Sequence, residues 1–143
     1  MRIFVPLALS LVIAASPVAA KDITVKMLTQ GKSGMMVFEP AFVKANVGDT
    51  VHFVPTTPSH NAELIKDIAP AGVVPASGGM NKEFVLPLTV GGLYGVKCRP
   101  HFTMGMVALV QAGPKSLNLA AARAAVLPGL AAKRMAPLLA QAK

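Results

Sequence analysis

One short stretch of this sequence constrains the chain more than any other. Residues 93–106 hold the only cysteine of the 143-residue chain, Cys98, with His101 three positions later and Met106 five positions after that. A thiolate, an imidazole nitrogen and a thioether sulfur form a soft ligand set, which suits copper better than magnesium or calcium. The stretch therefore predicts most of a copper site on one loop, and the rest of the chain has to supply a further ligand.

The missing ligand of such a site is a second histidine. Blue-copper sites have two His and one Cys in a plane and a weak axial Met. His52 lies inside an alternating strand pattern, where a histidine is ordinarily on the surface, whereas His60 follows Pro58-Ser59 at a junction between a loop and a strand. A side chain at such a junction can be aimed, so we favour His60. Spacing alone leaves both Met104 and Met106 open as the axial ligand.

The first twenty residues predict export. Arg2 precedes an apolar run over residues 3–15, and small residues follow at 16–20. This order is typical of a Sec-type signal peptide, which we expect to be cleaved after Ala20. An uncleaved membrane anchor is the alternative, but the apolar run is short for a bilayer span.

The net charge and the single cysteine limit the possible partners and the possible roles of Cys98. Loss of residues 1–20 would remove one charge, Arg2, and leave 13 Lys and Arg against 6 Asp and Glu, a formal net charge of +7. Such a surface attracts acidic partners. The basic residues are scattered and the chain has one Tyr and no Trp, which argues against nucleic acid as the partner. With one cysteine, an exported chain cannot form an internal disulfide, so Cys98 is a buried thiol, an intermolecular link or a ligand.

Between residues 21 and 113 the sequence predicts a mainly β domain. Residues 61–68 fit either a strand or a helical turn, and residues 70–80 read as a long surface connection. The other segments have strand patterns separated by turn residues: 23–27, 37–45, 50–54, 82–86, 93–98 and 105–111. About seven short strands at this spacing favour an antiparallel β-sandwich. In segment 37–45, Pro40 should confine the strand to an edge or a bend.

After Pro114 the pattern becomes helical. An Ala- and Leu-rich helix is predicted over residues 117–127, with Ser116 or Asn118 placed to cap it. A second helix is predicted over residues 130–142, where Pro137 should kink or restart it. Both are too short for a separate domain, so we expect one domain over residues 21–143, with a sandwich at 21–113 and a helical tail at 114–143 packed on it.

Taken together, these motifs resemble those of the pseudoazurins, a family of cupredoxins. The resemblance rests on Cys-x-x-His-x-x-x-x-Met, an upstream His-Asn, the Tyr-Gly-Val-Lys-Cys strand and the two C-terminal helices, and it covers residues 21–143. It implies a Greek-key β-sandwich and one type 1 copper bound by His60, Cys98, His101 and axial Met106, with Met104 outside the coordination sphere. The chain departs from the usual family pattern at Pro58-Ser59, commonly Lys-Gly, and at Arg99, commonly Thr.

The neighbours of the ligands suggest how the site is supported. The Asn61 side chain can hydrogen-bond to the loop that carries Cys98, and the Asn61 backbone N–H can donate to the thiolate. Pro100 removes a backbone donor from that loop and stiffens it. Apolar residues around His101 (Pro100, Phe102, Met104 and Gly105) predict an electron exit, and Lys97 and Arg99 predict a basic rim.

Two functions from different classes follow. The first is a periplasmic electron shuttle that cycles one copper between Cu(II) and Cu(I) and passes electrons to a redox protein such as copper nitrite reductase, after accepting them from a cytochrome-like donor. We expect it to be a monomer, without a membrane segment once processed. The second is a periplasmic copper-delivery protein, for which Met35-Met36 is the main hint. An enzyme is disfavoured because copper catalysis needs an open coordination position or a second metal, which His52 alone cannot build.

Overall fold

Two β-sheets packed face to face form the body of the protein. The computed structural model describes residues 19–143, so nearly all of the predicted signal peptide lies outside it. Within this range, the strands are β1 Asp22–Gly31, β2 Gly34–Glu39, β3 Phe42–Ala45, β4 Thr50–Pro55, β5 Glu63–Leu64, β6 Phe84–Pro87, β7 Gly92–Lys97 and β8 Val107–Ala112. One sheet has the order β2-β1-β4-β6 and the other β3-β8-β7-β5.

The predicted sandwich is confirmed, with a difference in strand direction. Antiparallel pairing joins β1 to β2, β4 to β6, β5 to β7 and β7 to β8, but β1 pairs with β4, and β3 with β8, in parallel. The cause lies at Pro40-Ala41, where the predicted segment 37–45 divides into β2 and β3 and the chain passes to the other sheet. When the chain returns as β4 it runs in the direction of β1, so the pair is parallel.

The core lies between the sheets and follows the alternation of the strands. In β4, Val51 and Phe53 are fully buried while His52 points to the outer face, as predicted. The Phe53 ring makes an edge-on contact with Phe38 at a centroid distance of 5.5 Å and also packs against Phe84. These aromatic contacts join three strands of the first sheet, which hold the upstream end of the site.

The undecided segment 61–68 contains both predicted conformations. Strand β5 pairs with β7, and a single 3₁₀ turn at Lys66–Ile68 follows it. The long connection after Pro70 is confirmed, and Ser77 within it forms an isolated bridge with Glu63. Strand β5 therefore lies directly beside the strand that leads into Cys98.

Two helices, α1 (Leu119–Ala124) and α2 (Leu130–Gln141), follow β8. Helix α1 is shorter than predicted, and Asn118 precedes it without a capping bond. Its side chain instead accepts a hydrogen bond from the Leu93 N–H at 2.8 Å and donates one to the Leu93 carbonyl at 2.9 Å. Helix α2 runs unbroken through Pro137, so the predicted restart does not occur.

Helix α2 covers the outer face of the second sheet. Its buried side chains Met135, Leu138 and Leu139 join a hydrophobic cluster with Leu93 and Leu109. The expectation that the tail packs on the sandwich is therefore confirmed. In the part of the chain that the structure describes, neither helix has the length and apolar content that crossing a bilayer requires.

Candidate metal centre

Three potential ligand atoms converge at one end of the sandwich. The Nδ1 atoms of His60 and His101 lie 3.2 Å apart, and Cys98 Sγ lies 3.8 Å and 3.5 Å from them. A point equidistant from the three atoms is about 2 Å from each, which is an ordinary metal–nitrogen bond length. Among residues 19–143, no other cluster of His, Cys, Asp and Glu side chains has metal-binding spacing.

The loop that carries Cys98 and His101 also orients Met106. The Cys98 N–H donates to the Met106 carbonyl at 3.0 Å, and the Met106 N–H donates to the His101 carbonyl at 3.1 Å. These bonds fold residues 98–106 into a closed loop. Met106 is fully buried, whereas 43% of Met104 is exposed. Burial thus separates the two methionines that spacing left open, and the arrangement with Met106 is that of a type 1 copper site.

The His60 ring is held from the side opposite the cluster. It is fully buried, and its Nε2 lies 3.1 Å from the Thr29 hydroxyl, which is 3.0 Å from the Thr57 hydroxyl. Burial, and to a lesser degree the neighbouring His101, lower the pKa of His60. A neutral imidazole is the form that binds a metal, so the surroundings favour the ligand state of His60.

The sulfur of Cys98 lies in a buried environment with backbone donors. Burial raises the pKa of the Cys98 thiol, while the backbone N–H groups of Asn61 and His101 donate to the sulfur and act in the opposite direction. The predicted role of the Asn61 side chain is confirmed, because its Oδ1 accepts a hydrogen bond from the Arg99 N–H at 2.8 Å. Asn61 therefore contacts the ligand loop through both its backbone and its side chain.

Glu63 joins Asn61 to the basic residues Lys97 and Arg99 at the surface. Its carboxylate lies 3.3 Å from Lys97 Nζ and 3.5 Å from Arg99 Nε, and it accepts hydrogen bonds from Ser77 and the Asn61 amide. Burial opposes ionisation of Glu63, but the hydrogen bonds from Ser77 and Lys97 outweigh it and hold its pKa below the ordinary value. The two cations of the predicted rim thus share one carboxylate.

Sequence analysis missed Thr29 and Glu63. For Thr29 a signal existed: it continues the inward-facing positions of Val25 and Met27 in β1, so the alternation of the strand places a polar side chain on its core side. For Glu63 no local signal existed, since its partners come from β7, the ligand loop and the connection after Pro70.

His52 does not belong to the site. Its Nδ1 lies 2.6 Å from a Glu83 carboxylate oxygen, and its Nε2 lies 3.3 Å from an Asp22 carboxylate oxygen on the neighbouring strand. Both ring nitrogens are therefore engaged on the outer face of the first sheet. The preference for His60 over His52 agrees with this arrangement.

The face around His101 is apolar. His101 and Phe102 are partly exposed, Pro100 and Met104 are exposed, and Lys97 Nζ lies 4.8 Å from the centroid of the Phe102 ring. Because His101 is the one member of the three-atom cluster that is not fully buried, its imidazole connects the centre to this face.

A buried thiolate ligand, two imidazoles and a thioether at one end of a β-sandwich define a copper protein of the cupredoxin class. The ligand set fits copper, whose softness and geometric preference match sulfur and imidazole donors.

Similarity to known proteins supports this class and shows which family within it the chain belongs to. Residues 25–113 match the family described as copper binding proteins, plastocyanin/azurin family. The chain is 52% identical to a pseudoazurin of Paracoccus pantotrophus over 94% of its own length and 92% of that protein. The crystal structure of native pseudoazurin from Hyphomicrobium denitrificans matches with a TM-score of 0.81 at 46% identity, covering 85% of this chain and 98% of that one. The chain belongs to the pseudoazurins, which are electron carriers of the plastocyanin/azurin family.

Proposed function

We propose that this protein is a periplasmic one-electron carrier in which His60, Cys98, His101 and Met106 would bind one copper ion. The observation that carries the proposal is the convergence of the two Nδ1 atoms and the Cys98 sulfur within 3.8 Å of one another. Bound copper supplies the Cu(II)/Cu(I) couple.

The surrounding residues keep the ligand atoms in one geometry. The Thr29 hydroxyl holds the His60 ring, Asn61 joins the two ligand segments, and backbone bonds close the loop of residues 98–106. A frame that is rigid before the metal arrives resists rearrangement between oxidation states. Such resistance lowers the reorganisation that accompanies each electron transfer.

Electrons would enter and leave through the exposed edge of His101. A partner could dock on the apolar face formed by Pro100, Phe102 and Met104. Few polar groups would have to lose their water when it does so. The formal net charge of +7 that residues 21–143 carry favours acidic partners, such as a copper nitrite reductase as acceptor, with a cytochrome-like protein as donor. Since Lys97 and Arg99 share Glu63, more distant cations would contribute much of the steering.

The remaining parts of the proposal concern the state of the protein in the cell. Export through a signal peptide cleaved after Ala20 would leave a single domain of residues 21–143, acting as a monomer without catalytic activity of its own.

The second candidate function, copper delivery, is less well supported by the geometry. His60, Cys98 and Met106 are fully buried, and a closed site of this kind exchanges its metal slowly.

Copper loading tests the proposal directly. Residues 21–143 loaded with Cu(II) should show an intense blue thiolate-to-copper absorption band and a type 1 EPR spectrum, both of which disappear on reduction and return on oxidation. C98S and H60A should lose the band, and H52A should keep it. A pale complex whose copper is lost rapidly to a chelator would instead support the delivery function.

A further inference from the structure

Helix α2 contacts the ligand loop as well as the sheet beneath it. Nη1 of Arg134 lies 3.3 Å from the carbonyl oxygen of Gly105, the residue before Met106. The same nitrogen donates to the carbonyls of Met35 and Met36 at 3.0 Å and 2.9 Å. One guanidinium therefore joins α2, the start of β2 and the loop that carries the axial methionine.

Two glycines make this approach possible. Gly105 has a φ of +87°, and a Cβ on it would lie 2.6 Å from Arg134 Cδ. A Cβ on Gly129, just before α2, would lie 2.5 Å from the Thr103 carbonyl oxygen. The Leu130 N–H, in the first turn of α2, donates to that same carbonyl at 2.9 Å. The start of α2 thus meets the loop backbone to backbone at Thr103, and at Gly105 the Arg134 side chain packs directly on the loop backbone.

The conformation of β2 brings its carbonyls to the same nitrogen. In an extended strand, successive carbonyls point in opposite directions. Met36 has a φ of +51°, which interrupts this alternation and lets the carbonyls of Met35 and Met36 both face Arg134. Non-glycine residues adopt this region only at a cost, and the hydrogen bonds from the charged Arg134 help to offset it.

We propose that Arg134 is a positioning residue for Met106. It fixes the Gly105 carbonyl and with it the backbone of residues 103–106, so that the Met106 side chain is held in a constant position relative to the other proposed ligands. In this way the C-terminal helix becomes part of the frame of the copper site. The proposal rests on the proposed ligand role of Met106.

The test compares R134Q with K133Q. Both variants remove one positive charge from the same turn of α2, but the Lys133 side chain is exposed and forms no hydrogen bond or ion pair within residues 19–143. In metal-free protein, the amides of Gly105 and Met106 should exchange with deuterium about tenfold faster in R134Q than in K133Q, as expected when a charge-assisted hydrogen bond is lost. In copper-loaded protein, R134Q should change the relative intensities of the two thiolate-to-copper bands, whereas K133Q should leave them unchanged.

The outcomes separate this proposal from the function on which it rests. If R134Q and K133Q agree in exchange rates and in spectra while wild type is blue, the positioning role is overturned and the electron-carrier function stands. If wild type itself binds no copper through Cys98, the proposed function and the ligand role fall together. Should R134Q not fold, R134K replaces it: it keeps the charge but lacks the planar fork, and faster exchange than in K133Q supports the proposal while equal exchange overturns it.

Discussion

The side-chain oxygen of Asn61 accepts a 2.8 Å hydrogen bond from the backbone N–H of Arg99, and so joins two segments that are 38 residues apart in the chain. On one side of this bond is His60, and on the other is Cys98. The same asparagine donates through Nδ2 to the Gly78 carbonyl at 3.2 Å. A single buried amide therefore sets the distance between the two parts of the metal site.

The substitution N61A should lower the free energy of unfolding of the metal-free protein by about 1–3 kcal/mol, because it leaves buried polar groups without partners. Denaturant unfolding measures the loss. N118A is the matched control, since Asn118 forms two comparable bonds with Leu93 far from the metal site. Both variants should lose stability, but only N61A should change the visible spectrum of the copper-loaded protein. Identical spectra for the two would contradict the role of Asn61 at the site.

Removal of the Thr29 hydroxyl should weaken copper binding. The substitution T29V preserves shape but leaves Nε2 of the buried His60 without its partner. Loss of a partner of a metal-bound histidine typically costs about 10–100-fold in affinity. Competition with a chelator of known affinity measures the effect on Cu(II). T56V is the control, because Thr56 is exposed and its hydroxyl donates only to the nearby Val54 carbonyl. Equal affinities for T29V and T56V would count against the role of Thr29.

The ion pairs of His52 should make stability depend on pH. Hydrogen bonding to Glu83 is the main cause that raises the pKa of His52, with a smaller contribution from Asp22. The folded protein thus binds this proton more tightly than the unfolded chain. The stabilisation is fully present below the ordinary value of 6.5 and is lost as pH rises through the raised folded value.

The substitution H52Q tests this dependence. The difference in unfolding free energy between wild type and H52Q should be larger at about pH 5 than at about pH 8, because this stabilisation is lost as pH rises through the raised pKa of His52. Denaturant titrations at both pH values measure it. E83Q removes the stronger partner of His52. Like H52Q, it should make the free energy of unfolding depend less on pH than it does in wild type. A difference between wild type and H52Q that does not vary with pH would show that the ion pairs contribute nothing.

Ser59 holds a backbone conformation that suits glycine. Its φ is +72°, and its N–H donates to the Asn81 side chain at 2.6 Å. Replacing it by glycine relieves a cost of about 1–2 kcal/mol, against an entropic loss of about 0.5–1 kcal/mol. S59G should therefore raise the free energy of unfolding by about 0.5 kcal/mol. S33G is the control: φ of Ser33 is not positive, so glycine there should lower stability.

The ligand set could be predicted from the sequence because its chemistry is local. Cys98 and His101 occupy one loop, and His60 follows a proline-rich junction, so spacing and residue type pointed to these three. They left Met104 and Met106 open, and the resemblance to the pseudoazurins selected Met106. The partners that hold these ligands could not be predicted in the same way. Thr29 reaches His60 from 31 residues away and Arg134 reaches Gly105 from 29 residues away. The alternation of β1 places Thr29 on the core side of the strand but does not identify its partner, and nothing in the neighbouring sequence distinguishes Arg134 from an ordinary basic residue.

Differences in the fold have the same origin. The alternation of residues 37–45 is compatible with one strand, and only the second sheet shows why it divides at Pro40. The first helix was predicted from residue 117, but Ser116 donates its N–H to the Lys143 carbonyl and Asn118 bonds to Leu93. These distant partners hold the chain in another conformation until residue 119, so α1 begins late.

The parallel pairing of β3 with β8 bears on how fast the metal site can arise. Phe42 pairs with Leu109, so this contact closes a long loop before it contributes any stability. Sandwich folds dominated by such distant pairings reach the native state in milliseconds to seconds rather than microseconds. His60 and Cys98 are 38 residues apart in the chain, and a preformed metal site rarely exists in an unfolded chain. We therefore expect the close arrangement of the ligand atoms to arise only as the sheets form and pack, at the pace of these distant pairings.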